Sequence, residues 1–154
     1  MQQRLTIITL GVKNLAKSEE FYSRKLGWRK SDDSSDDIIF YDLNGIRLAL
    51  YPKDKLAEDA KSPKNTCDCE DNCDCHNNEN NHQFPGFTMA YNTRSEKEAD
   101  EIFAELKNKD VKIVKLPEKV FWGGYSGYIA DPDSYLWEIA YNPFMEIDDD
   151  GNIK

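Results

Sequence analysis

All four cysteines and both histidines of the chain fall in one stretch, CDCEDNCDCHNNENNH, from Cys67 to His82. The cysteines stand as C-x-C-x3-C-x-C, with His76 next and His82 six residues after it. Thiolates at this density suit a soft ion such as Zn(II), Cu(I) or Cd(II). A turn at Glu70-Asp71-Asn72 can bring Cys67, Cys69, Cys73 and Cys75 around one tetrahedral centre. His76 or His82 can replace one thiolate in that set. Asp68, Glu70, Asp71, Asp74 and Glu79 add negative charge, and no Lys or Arg opposes it. That field attracts cations and raises thiol pKa values, so no reactive thiolate is expected until a metal binds. Three readings stay open: one bound soft ion with zinc favoured, disulfides such as Cys67–Cys75 with Cys69–Cys73, or an unoccupied insertion.

Everywhere else the chain lacks histidine and cysteine, so no Cys–His or Ser–His nucleophile pair can form there. The acidic residue best placed for chemistry is Glu138 in YLWEIAY (135–141). Period-two alternation puts Tyr135, Trp137 and Ile139 on one face and Leu136, Glu138 and Ala140 on the other. In an apolar recess Glu138 would act as a proton-transfer group; the preferred reading is a polar contact to a ligand. Phe121, Trp122, Tyr125 and Tyr128, with Phe40, Tyr41 and Tyr51 earlier, can wall a planar ligand, and core packing is the alternative for each. Gly123, Gly124 and Gly127 permit bulges that leave this register open. Asp131-Pro132-Asp133-Ser134 reads as a turn, not a catalytic carboxylate pair.

These residues need elements to hold them. NLAKSEEFYSRKLGW predicts a helix from the Asn14 cap to Gly27, burying Phe21, Tyr22 and Leu26. SEKEADEIFAELKNK predicts a second, with Ser95 and Glu98 at capping-box spacing and a stripe of Ala99, Ile102, Phe103 and Leu106. Strand-like runs precede each helix (4–12 and 86–92). Three more follow each: GWRKSD, DIIFYDL and IRLALYP, then VKIVKL, GYSGYIAD and YLWEIAY. The order is βαβββ twice: modules 1–52 and 85–145, a connector 53–84 whose PKDKLAEDAKS start can add a helical turn, and an acidic tail 146–154. Laying the halves over each other sets Ile7 against Phe87 and Ala49 against Glu138.

This repeat, with ITLGVKNLAKSEEFYSRKLGW and FWGGYSGYIADPDSYLWEIAYNPF (121–144), resembles the vicinal oxygen chelate superfamily. That group includes glyoxalase I, extradiol dioxygenases and the bleomycin and fosfomycin resistance proteins. The resemblance covers residues 4–52 and 85–145. It implies an α+β fold in which paired βαβββ modules form a curled mixed sheet around a cup, and a homodimer. It also implies up to four metal ligands at Ile7, Ala49, Phe87 and Glu138, of which only Glu138 can bind a metal, so no metal is expected in the cup. The function implied is binding of a small organic molecule, with Ile7, Ala49, Phe87, Trp122, Tyr125 and Glu138 as its site. One alternative is a glyoxalase-like lyase or dioxygenase in which Glu138 is catalytic and recruits a metal. Another is a metal sensor or scavenger built on the cysteine stretch.

A net charge of −9 over 154 residues, pI near 4.7, argues against nucleic acid as a partner, because phosphate binding needs clustered Lys and Arg. Much of the acidity sits in SDDSSDD (31–37) and EIDDDGN (146–152), read as solvated loop and tail. No apolar run approaches the ~20 residues of a membrane span. MQQRLTIITLGV lacks the features of a secretory signal, so a cytoplasmic location is expected.

Overall fold

The computed structural model describes residues 5–61 and 86–153. Cys67, Cys69, Cys73, Cys75, His76 and His82 therefore lie outside the described residues.

Local signals start the elements. Asn14 accepts a hydrogen bond from the Lys17 amide at 3.0 Å and opens α1 (Leu15–Glu19), which runs into a π-helical segment, Glu20–Lys25. Gly27, at φ +76°, ends it in the left-handed region where glycine carries no Cβ penalty. Ser95 accepts from the Glu98 amide at 3.1 Å and opens α3 (Glu96–Asn108). The Glu98 carboxylate reaches back to the Arg94 amide, one residue beyond the usual box partner.

In the first half β3 (Arg47–Pro52) is central, with β1 (Ile7–Val12) parallel and β2 (Ile39–Asp42) antiparallel beside it. The connector's start forms α2 (Lys53–Asp59). The second half is a sheet in the order β4-β7-β6-β5, from β4 (Met89–Thr93), β7 (Leu136–Tyr141), β6 (Tyr125–Ala130) and β5 (Lys112–Lys119). Only β4 and β7 run parallel there. The fold is α+β with two open mixed sheets, of three and four strands.

The first half holds one strand fewer than its sequence suggests. GWRKSD contributes a single bridge, Lys30 to Tyr41. Trp28 packs against the core and Lys30 binds Glu19 at 2.9 Å. The Asp- and Ser-rich run then turns back, Ser34 amide to Ser31 carbonyl, before a ladder can extend.

Each sheet turns one face to the helices. Leu10, Val12, Leu48 and Leu50 from the first, and Ile129, Trp137 and Ile139 from the second, join Phe21, Tyr22, Phe103 and Leu106 in one core. Tyr22 bridges the halves, its ring 5.7 Å from Tyr41 and 6.3 Å from Trp137. The turn read as structural reinforces this: Asp133 accepts from Ser18 Oγ and the Lys13 amide, both at 2.7 Å. No helix among the described residues is long and apolar enough to cross a membrane.

Candidate functional site

The faces turned away from α1, the π-helical segment and α3 carry the residues left for ligand chemistry. On β7, Trp137 and Ile139 are buried in the core, which leaves half-buried Glu138 on the helix-free face, as alternation requires. Its neighbours across the sheet are Tyr128 on β6 and Ala90 on β4. Lys115 on β5 lies next to Tyr128, so one row crosses all four strands: Lys115, Tyr128, Glu138, Ala90.

Tyr128 and Glu138 are direct cross-strand partners on this face. Burial first, then the negative charge of Glu138, push the Tyr128 pKa above its ordinary value. The Lys115 ammonium is engaged by Glu118 at 3.0 Å. The row thus presents a carboxylate that can accept hydrogen bonds from a ligand. Beside it stands Ala90, small and exposed.

The first sheet has a corresponding row without ionisable groups. Ala49, fully buried, lies between Thr9 on β1 and Phe40 on β2. The Arg47 guanidinium sits 5.1 Å over the Phe40 ring, a cation–π contact. At the end of β1, α2 packs close: a Cβ on Gly11 would lie 3.2 Å from Leu56 Cδ2.

These ladders correct the register expected for the repeat. Thr9 pairs with Ala49 and Ala90 with Glu138, so matching Ala49 to Glu138 sets Ile7 against Thr88, not Phe87. A slip of one residue exchanges the two faces of a strand. Ile7 stands opposite Arg47, two residues from Ala49. Phe87 lies before β4, its ring 5.8 Å from Tyr135, whose hydroxyl donates to the Gly11 carbonyl. Phe87 therefore belongs to the contact between halves and does not stand beside Glu138.

Tyr125 is also corrected. It packs against the core and donates its hydroxyl to Asp100 on α3 at 2.7 Å, so it faces the helices. β6 pairs with β7 without interruption, so alternation along it sets Tyr125 with Gly127 and Ile129, opposite to Tyr128. Trp122 sits in the turn before β6 with its indole over Gly124, where a Cβ would fall 1.8 Å from the ring. Thr9 and Ala90 are the site residues the sequence did not single out; Tyr128 was read as a wall for a ligand, without its pairing to Glu138. Counting outward from the Asp131–Ser134 turn would have paired Tyr128 with Glu138.

The donor set does not fit the metal that the resemblance implies. Glu138 is the one ligand among Thr9, Ala49, Ala90 and Glu138, and thiolates, imidazoles or further carboxylates are needed to complete a tight site. Among the described residues no group of three or more His, Cys, Asp or Glu is arranged to hold an ion.

Comparison with known proteins follows the same lines. The chain superposes on a glyoxalase-related enzyme from Fulvimarina pelagi with TM-score 0.78 and 29% identity, over 99% of this chain and 98% of that one. A glyoxalase/bleomycin resistance protein/dioxygenase from Nocardioides gives 0.70 at 20% identity, over 92% and 84%. Lactoylglutathione lyase from Agrobacterium tumefaciens gives 0.63 at 16%, over 92% and 95%. The last two likenesses are of fold. No curated protein matches the chain. The family model that matches does so over residues 4–139, and the chain belongs to the Glyoxalase/Bleomycin resistance protein/Dioxygenase superfamily.

Proposed function

We propose that this chain binds a small organic molecule on the helix-free face of its second sheet, as a homodimer, with Glu138 as the polar anchor and no metal there. The observation that supports this is the half-buried Glu138 carboxylate on that face, paired across the sheet with Tyr128 on one side and small Ala90 on the other. A carboxylate beside a phenol can accept a hydrogen bond from an amine, amide or hydroxyl of a ligand. The aromatic ring beside it adds contact area.

Bleomycin is the first probe, chosen from the family's own name. It is expected to bind saturably, and Glu138→Gln to weaken it about tenfold, near 1.4 kcal/mol, by isothermal titration. Equal affinity in the variant would remove Glu138 as anchor. No saturable bleomycin binding, together with no retained small molecule in native mass spectra, would remove the container reading. The same spectra read the dimer.

A separate soft-metal site at Cys67, Cys69, Cys73 and Cys75, with His76 or His82, is part of the proposal. Protein isolated without chelator is expected to carry about one zinc per chain, to lose it when the four cysteines become serine, and to keep it in Glu138→Ala. Metal that leaves with Glu138 instead would favour the metal-dependent enzyme.

A further inference from the structure

The core is incomplete between α3 and the π-helical segment. A cavity of about 200 Å³ opens there, over the helix-facing side of the second sheet. Its lining includes Trp28, Trp137, Ile102, Leu106 and Ile139, with Tyr91 among them and 46% exposed. Glu138 lies on the other face of the same strand, so this space is separate from the site described above.

Three features keep it open. Trp28 and Trp137 meet edge to face, centroids 5.3 Å apart at 86°, and their rings cannot collapse into the gap without losing that contact. At the cavity's edge the Lys25 ammonium donates to the Asp110 carbonyl and the Lys109 ammonium to the Lys25 carbonyl, each at 3.0 Å. Lys109 also pairs with Glu105 at 2.6 Å. These cross-contacts hold the end of α3 at a set distance from the end of the π-helical segment. That segment is the third feature. A π turn is poorer in packing and hydrogen-bond geometry than an α turn and tends to occur where a functional site needs it. Here it delivers Lys25 and Leu26 to the cavity wall, and Gly27 then swings Trp28 onto its floor.

We propose that this cavity binds a neutral one- or two-ring aromatic molecule. Empty apolar space of 150 Å³ already accepts benzene, so about 200 Å³ has room for an indole-sized guest and is too small for a drug-sized one. The walls favour a planar apolar body. The Trp137 indole N–H is already given to the Tyr22 hydroxyl at 3.2 Å, so a guest's polar atom would turn to the open side near Tyr91. This reading does not depend on the proposal for Glu138.

The test is a titration of the full chain with 6-fluoroindole, read by its ¹⁹F signal and by isoleucine methyl resonances. Saturable binding is expected, with a Kd of roughly 0.1–1 mM. The methyls of Ile102, Ile129 and Ile139 should move with one midpoint while that of Ile7 stays still. Ile102→Trp, which fills the space, should weaken binding at least tenfold with its melting temperature preserved. Shifts that never saturate, a response at Ile7 without one at Ile102, Ile129 and Ile139, or full affinity in folded Ile102→Trp would each overturn the proposal. The wild-type methyl data decide the matter even where the variant folds poorly.

Discussion

Asp131→Ala is expected to lower stability by about 3 kcal/mol at pH 5, a fall in Tm of roughly 6–12 °C, and by clearly less at pH 8. Asp131 is 4% exposed and holds three donors: the Asp133 amide at 2.9 Å, the Tyr135 amide at 2.8 Å and the Tyr22 hydroxyl at 2.9 Å. Tyr22 in turn receives the Trp137 indole N–H. Removing the carboxyl leaves these groups unpaired in the core that joins the two halves, which costs far more than the net value of a hydrogen bond. Burial pushes the Asp131 pKa from 3.8 up to about 6, against the lowering effect of its hydrogen bonds to Tyr135 and Tyr22.

The pH dependence follows in sign. The folded chain holds the Asp131 proton to about pH 6, whereas the unfolded chain releases it near the ordinary carboxylate value. This group's stabilisation is therefore complete below pH 3.8 and is lost as pH rises through about 6. The whole effect corresponds to about 3 kcal/mol at most. Denaturant melts of wild type and Asp131→Asn from pH 4 to 8 isolate it. The wild type's relative stability should decline with pH, and a flat difference would mean that Asp131 does not titrate in this window.

Gly127→Ala is the second large effect, expected to destabilise by about 3 kcal/mol. A Cβ there would lie 2.6 Å from Phe103 Cζ, 2.7 Å from the Lys115 carbonyl oxygen and 2.8 Å from the Pro117 nitrogen. Two of these three are backbone atoms of β5, where its pairing with β6 is irregular, and backbone yields less readily than a ring. Adding Phe103→Leu should therefore recover only part of the loss in urea denaturation. Full recovery would mean that β5 is not the obstacle.

The helices and hairpins were legible because their signals are local. Asn14 and Ser95 cap the amides expected of them, and Ala99, Phe103 and Leu106 are buried as their spacing predicts. The face of Glu138 followed from two-residue alternation within a single strand. The segment 27–32 was misread because strand propensity says nothing about whether a partner is in reach. Trp28 and Lys30 commit that stretch to the core and to Glu19.

Sequence alone therefore determined the family and the poverty of metal-ligating residue types around Glu138, since each rests on residue types and short spacings. Tertiary structure decided which residues share a row. β1 joins β3, and β4 joins β7, across whole helices. No turn counts out such a parallel register, and one residue of slip exchanged Phe87 for Thr88. The cavity beside Trp28 and Trp137 has the same origin: its walls come from distant segments, and the space between them exists only once the two halves have packed.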